Sequence, residues 1–217
     1  MFWTTLDEIA KIIEKADGKA DGTYTGQTLQ PRLKTLMTPW MNESFFADVA
    51  VLVEGEEDRA AIIGTAFTMD IDLESMGITV VPCHGKSNLD RPVAILNTLG
   101  IPTYTIWDSD EGEGDAKPEE NHRLLRLFGQ QIEDWPDMIS DKFACFKYNL
   151  TKTLRTEIGE LLYDSALNSC CERLCLGKKK HAVKNPLVVQ EILDAARSQG
   201  KPSKTLNEIV TRIIALI

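Results

Sequence analysis

Hydrophobic and polar positions change rhythm along this chain. Over TTLDEIAKIIEKA (residues 4–16), Leu6, Ile9, Ile12 and Ile13 recur at three- and four-residue spacing, which predicts an amphipathic helix ending at the polar stretch from Gly18 to Gly26. A second helix-period piece, LQPRLKTLMTPWM, follows. Neither has an obvious apolar partner nearby in the sequence, so residues 1–42 read as a helical lead-in, the remnant of a preceding domain. From residue 48 the pattern alternates. DVAVLV (48–53) is a continuous β-branched run of the kind buried on both faces of a parallel sheet. EEDRAAIIGTAFTM (56–69) predicts a helix with acids in its first turn, where the helix dipole favours them. GITVVPC (77–83) is a second strand, and SNLDRPVAILNTLG (87–100) a helix with Ser87 as N-cap, Asp90 in the reciprocal capping position and Gly100 as its stop. IPTYTIWD (101–108) is a third strand. This alternation implies an α/β fold, a parallel sheet flanked by helices with right-handed crossovers, over residues 43–115. After the loop EGEGDAKPEEN, residues 116–217 read as a mostly helical insertion and C-terminal part, with KFACFKYN a candidate extra strand.

Composition narrows the class. With 43% hydrophobic and 26% charged residues over 217 positions, the chain is an ordinary globular one. No apolar run approaches the ~18–20 residues that span a bilayer, and the N-terminus lacks a basic start and a small-residue cleavage site, so a cytoplasmic protein without a membrane partner is expected. Five cysteines (Cys83, Cys145, Cys170, Cys171, Cys175) form an odd, uneven set that fits a reducing compartment. Cys170, Cys171 and Cys175 with His181 lack the second CxxC pair of a structural zinc site. The net charge of −9 argues on its face against a nucleic-acid partner. Its distribution argues the other way. Residues 43–75 hold nine acids and one base, whereas GKKKHAVK (177–184) holds four lysines and no acid. An acidic centre beside a basic segment suits a metal-dependent enzyme acting on a phosphate backbone, because bound divalent ions invert the sign of the acidic site.

The candidate chemistry lies at the strand ends. Gly85-Lys86-Ser87 looks like the end of a phosphate-binding P-loop, but the first glycine of that pattern is replaced by Val80, so the tripeptide does not cradle a nucleotide. Strand one ends in Glu54-Gly55, with Asp58 one helical turn on, and strand three ends in Asp108-Ser109-Asp110. Ligands of an open parallel sheet bind outside the carboxyl ends of its strands, which lie ~4.8 Å apart, so Glu54, Asp58, Asp108 and Asp110 can converge. Hard oxygen ligands of this kind point to Mg²⁺ or Mn²⁺, and two such ions ~3.5–4 Å apart suit phosphodiester hydrolysis. Gly55 permits a sharp strand-to-helix turn and close approach of substrate. Gly85, Lys86 and Ser87 share that edge: Gly85 permits close approach and Lys86 is placed to touch a phosphate.

These residues carry a resemblance. LVEGEEDRAAI, followed by a strand, helix and strand leading to IWDSD, resembles a Toprim domain, the catalytic module shared by topoisomerases, bacterial primases and several nucleases. The run GITVVPCHGKSNLDRPVAILNTLGIPTYTIWDSDEG is most similar to the Toprim domain of OLD-family (overcoming lysogenization defect) nucleases. The match covers residues 48–112; residues 113–217 resemble the family's helical additions more loosely. It implies two-metal cleavage of DNA, with Glu54, Asp58, Asp108 and Asp110 as metal-site acids. It also implies a late catalytic lysine, placed at Lys184 with Lys180 as runner-up. Lys178, Lys179 and Lys180 are candidate contacts to the DNA backbone. Family proteins join this part to an ATPase; this sequence has no Walker A pattern, so no ATP site is expected here, and either a covalent ATPase domain belongs to a longer protein of which this is the C-terminal part or the chain acts without ATP. An acid would be a plausible further ligand where Asn149-Leu150-Thr151 stands. Two other readings compete: a primase- or topoisomerase-type Toprim enzyme, the latter needing a nucleophile among Tyr24, Tyr104, Tyr148 and Tyr163, and a receiver-like Mg²⁺-binding regulatory module phosphorylated on Asp108.

Overall fold

The computed structural model describes residues 3–217. Three helices lead in: α1 (Leu6–Asp17), α2 (Gly26–Leu36) and α3 (Pro39–Ser44). The alternating unit follows as β1 (Val49–Val53), α4 (Glu56–Thr68), β2 (Ile78–Pro82), α5 (Asp90–Thr98) and β3 (Thr103–Asp108). Beyond it come α6 (Pro118–Leu127), β4 (Met138–Ile139), β5 (Phe143–Phe146), α7 (Leu150–Ile158), α8 (Glu160–Arg173), α9 (Lys179–Ala182), α10 (Pro186–Ser198) and α11 (Lys204–Ile214). The strands form one five-stranded sheet in the order β2-β1-β3-β5-β4, parallel except for β4 at its edge, which pairs antiparallel with β5. KFACFKYN therefore supplies β5, while the two-residue β4 is too short to leave a periodic signal. No helix among the described residues is long and apolar enough to cross a membrane.

Every residue of β1 is buried because both faces of the sheet are covered. Val49, Val51 and Val53 pack with Val80, Ile106 and Phe146 under α4, α8, α10 and α11, while Ala50 and Leu52 face Val81, Trp107 and Phe143 under α5 and α6. Gly64 lets α10 press onto α4: a Cβ there would meet the Pro186 carbonyl oxygen at 2.6 Å and Val189 Cβ at 2.8 Å. The helical stretch from Leu150 to Arg173 is two helices, because Gly159 takes φ = 96° between α7 and α8.

The lead-in has an apolar partner after all, about 80 residues away in sequence. Ile9, Ala10 and Ile13 of α1 close over Leu29, Leu33, Ala94 and Ile95, burial worth roughly 1.5–3 kcal/mol for each large side chain. Arg126 Nη1 donates to the Ala16 carbonyl at 3.0 Å, and Arg123 Nη1 to Asp17 Oδ1 at 3.3 Å, tying α6 to the end of α1. The start of α5 differs from the sequence expectation. Ser87 is not an N-cap: Lys86–Asn88 form a 3-10 turn, the helix begins at Asp90, and its cap position is Leu89, with no side-chain hydrogen bond. Asp90 turns inward instead, accepting from Arg91 N at 2.8 Å and Arg91 Nη1 at 3.0 Å, with Arg123 Nη1 at 3.5 Å.

Candidate metal centre

The parallel register sets the C-terminal ends of β2, β1 and β3 side by side, with Val53 opposite both Pro82 and Ile106. Backbone bonds continue past the strands: the N–H of Cys83 donates to the Val53 carbonyl, and that of Gly85 to the Glu54 carbonyl, each at 2.8 Å. Glu54 then reaches sideways, and its Oε1 accepts from the Asp108 N–H at 2.8 Å. Asp58, in the first turn of α4, accepts from the Gly55 N–H at 3.0 Å and so satisfies a helix-terminal donor. Asp108 Oδ1 accepts from the Leu150 N–H at 2.9 Å, which aims the N-terminus of α7 at the acid. Asp110 is a non-glycine residue at φ = 64°, and its Oδ2 accepts from Lys86 Nζ at 2.6 Å.

The structure thus gathers Glu54, Gly55, Asp58, Gly85, Lys86, Ser87, Asp108 and Asp110 at one sheet edge. Glu54, Lys86, Ser87 and Asp110 line an open cleft of about 300 Å³, whose other wall is Glu113, Asp115, Ala116, Lys117 and Glu120. Lys86 is not the solvent-facing lysine the sequence allows: it is 5% exposed and also donates to the Asp108 carbonyl at 2.6 Å. Ser87 is exposed at the rim. The late lysines stand apart. Lys178, Lys179, Lys180 and Lys184 are exposed around α9 and form no ion pair among the described residues. The turn carrying Lys184 does reach the acidic helix, since Val183 lines a small apolar cavity together with Glu57, Asp58 and Thr151. At the position where the sequence lacks an acid, Thr151 Oγ1 donates to Glu57 Oε1 at 2.7 Å.

The carboxyls are held under electrostatic stress. Burial pushes Asp108 up to about 9, reinforced by Asp58 and Glu54. Burial likewise pushes Glu54 up to about 7, against the Asp108 N–H and Lys86, and Asp58 up to about 6, against the Gly55 N–H. In this conformation no three His, Cys, Asp or Glu side chains among the described residues converge at metal-ligating geometry, and each of the four acids has a protein donor on one oxygen. Glu54 Oε2, Asp108 Oδ2 and Asp110 Oδ1 accept no hydrogen bond among the described residues, and none is sealed from solvent. Carboxylates crowded in a buried site with free oxygens are the donor set a hard divalent cation would neutralise. Glu54, Asp58, Asp108 and Asp110 are the residues that could hold one.

Two groups of residues were missed by the sequence reading. Asn121, fully buried on α6, donates through Nδ2 to the Ser109 carbonyl at 3.0 Å and the Asp134 carbonyl at 2.8 Å, and Ser109 Oγ donates to the Pro136 carbonyl at 2.6 Å. Together they fix the turn between Asp108 and Asp110. Lys147, Tyr148 and Lys152 form a rim beside it: the Tyr148 carbonyl accepts from the Asp110 N–H at 3.0 Å, and Lys152 Nζ stands 3.4 Å from the centroid of the half-exposed Tyr148 ring. The aromatic-basic sequence KYNLTK was the available signal for the rim, whereas nothing local marks Asn121.

Comparison with known proteins agrees with this architecture. Residues 45–110 match the family model of the overcoming lysogenization defect protein-like Toprim domain. An OLD nuclease of Thermus scotoductus is 34% identical over 82 residues, covering 38% of this chain and 16% of that protein. The C-terminal region of the Xanthomonas campestris pv. campestris OLD protein shares the fold, with a TM-score of 0.50 at 17% identity over 79% of this chain and 97% of that one. Residues 45–110 are therefore similar to an OLD-like Toprim domain, and the acid cluster lies within that stretch.

Proposed function

We propose that this chain is the catalytic region of a divalent-metal-dependent DNA endonuclease that hydrolyses phosphodiester bonds. The observation that carries the reading is the set of buried, mutually repelling carboxyls of Glu54 and Asp108 at adjacent strand ends and of Asp58 in the first turn of α4, beside a cleft that Glu54 and Asp110 line. When bound, a pair of Mg²⁺ or Mn²⁺ ions would supply an activated water and a counter-charge for the leaving oxygen. Glu54, Asp58, Asp108 and Asp110 would hold and orient those ions. Gly55 and Gly85 leave room for a strand to approach: a Cβ at Gly55 would meet only Asp58 Oδ2 at 4.0 Å, and one at Gly85 nothing within 4 Å. Lys147, Tyr148 and Lys152 offer a stacking face and charge for the strand at the rim. Lys178, Lys179 and Lys180 meet its backbone farther out, and Lys184, beside the acidic helix, is the candidate for stabilising charge on the phosphate. The ATPase domain expected from the resemblance belongs to the same reading.

The test is incubation of the purified chain with supercoiled plasmid in Mg²⁺, Mn²⁺, Ca²⁺ or EDTA, alongside Asp108→Ala. Nicked or linear product that needs Mg²⁺ or Mn²⁺ and disappears in the variant is expected. Cleavage in EDTA, full activity in Asp108→Ala, or a ladder of relaxed closed topoisomers in place of nicked circles would each sink the proposal.

A further inference from the structure

The proposed hydrolysis gives the buried Lys86 no role. Lysines are almost never fully buried unless paired, and this one is 5% exposed with its Nζ at 2.6 Å from both Asp110 Oδ2 and the Asp108 carbonyl. The backbone on both sides is bent to bring the partners together. Gly85 has φ = 119° and ψ = 153°, a conformation reserved for glycine, and its N–H is tied to the Glu54 carbonyl at 2.8 Å. His84 before it and Asp110 opposite are both non-glycine residues at positive φ, 58° and 64°. Conformations of that kind persist where the surrounding structure over-determines them. Here they put a positive charge against one acid of the cluster and leave the carboxyls of Glu54, Asp58 and Asp108 without a lysine hydrogen bond.

Building on the metal-centre reading, we propose that Lys86 is an internal counter-cation that keeps Asp110 in reserve. The centre takes its first divalent ion on Glu54, Asp58 and Asp108, and Asp110 becomes a ligand for a second only after Lys86 is drawn off by a phosphate of the bound nucleic acid. Charge is conserved in the exchange: the ammonium leaves a carboxylate for a phosphate oxygen, and the divalent ion takes the carboxylate. Second-ion binding and nucleic-acid binding then help one another by the same factor, as linkage requires. A free site would therefore be held short of its full metal complement.

The experiment is a Mn²⁺ titration of the full chain, with free Mn²⁺ read by electron paramagnetic resonance. Wild type, Lys86→Met, Lys86→Arg, Lys86→Met/Asp110→Asn and Asp108→Asn are compared, and wild type is repeated with a non-cleavable phosphorothioate duplex. Wild type should bind one ion tightly and a second weakly. Lys86→Met should tighten the second by about tenfold or more, the order expected when a charge-assisted hydrogen bond no longer has to be broken. Lys86→Arg should stay near wild type, and the double variant should lose the second ion. The duplex should tighten the second ion in wild type by a similar factor, an arm independent of whether Lys86→Met folds. Unchanged second-ion affinity in Lys86→Met and with the duplex, while Asp108→Asn still abolishes the first ion, overturns this inference and leaves the metal centre standing. No Mn²⁺ binding to wild type overturns both.

Discussion

Replacing Asp108 with asparagine should stabilise the metal-free protein and remove the stabilisation that metal gives. The substitution is nearly isosteric with the protonated acid, and asparagine Oδ1 can still accept from the Leu150 N–H. Burial pushes the Asp108 carboxyl up to about 9 in the folded chain, far above the usual carboxylate range, with Asp58 and Glu54 adding to it. A carboxyl with a raised folded value contributes its full share below the unfolded value and loses it as pH rises through the folded one. Between pH 6 and pH 8 the native state keeps a proton that the unfolded chain has released, so stability falls by ~1.4 kcal/mol per pH unit from this group, ~3 kcal/mol in all. For a chain of this size that corresponds to roughly 6–12 °C in Tm. Thermal unfolding in EDTA should show the variant melting above wild type by a margin that widens from pH 6 to pH 8. Saturating Mn²⁺ should raise the wild-type Tm, by ~2.7 kcal/mol at a hundredfold excess over Kd, and leave the variant unmoved. A margin that is constant or shrinks with pH, or a variant less stable than wild type at pH 8 in EDTA, would refute the reasoning.

Other consequences are as direct. Gly64→Ala places a Cβ 2.6 Å from the Pro186 carbonyl oxygen, so overpacking should cost ~1–3 kcal/mol, read as a lower urea midpoint with an unchanged m-value. Asn121→Ala strands the buried Ser109 carbonyl and should cost about 1–3 kcal/mol; it should also weaken Mn²⁺ binding by loosening the Asp108–Asp110 turn, seen in the same titration. Tyr148→Ala should weaken DNA binding by ~1–3 kcal/mol through lost stacking, and Lys152→Ala should lower the slope of log affinity on log salt by roughly 0.7–0.9; fluorescence anisotropy across salt concentrations checks both. Arg123→Met leaves the fully buried Asp90 with Arg91 as its remaining counter-charge and should cost ~1–3 kcal/mol, part of it recovered by adding Asp90→Asn in a double-mutant cycle followed by chemical denaturation.

The alternating unit was legible because its signals are local. An unbroken β-branched run such as DVAVLV can be buried on both faces only under helices on both sides, and the turn acids Glu54, Asp108 and Asp110 fall where strand periodicity stops. What escaped depends on partners distant in sequence. The lead-in looked orphaned because its apolar face meets Ala94 and Ile95, and Ser87 looked like a cap because the pull of Arg123 on Asp90, which starts the helix three residues later, is tertiary. The long helical pattern from Leu150 hid a break at Gly159, where a positive φ rather than a loss of periodicity separates α7 from α8.

At the centre, spacing alone puts the acids at one edge, but it does not say what each oxygen does. Glu54 and Asp58 spend one oxygen each on the N–H groups of Asp108 and Gly55, so the same carboxyls that would bind a cation also brace the strand ends. That dual use explains how acids with strongly raised pKa values persist in a fold: each has a donor that makes its charge tolerable without cancelling it. Lys86 is the exception, since it nearly cancels Asp110, and a short motif read along the chain as Gly-Lys-Ser suggests an exposed loop lysine. Only the positive φ of His84, Gly85 and Asp110, set by the meeting of two strand ends, turns that lysine inward. The charge state of the cluster is therefore decided by tertiary geometry, and it follows that Lys86 and Asp110 should be varied together in any dissection of the site.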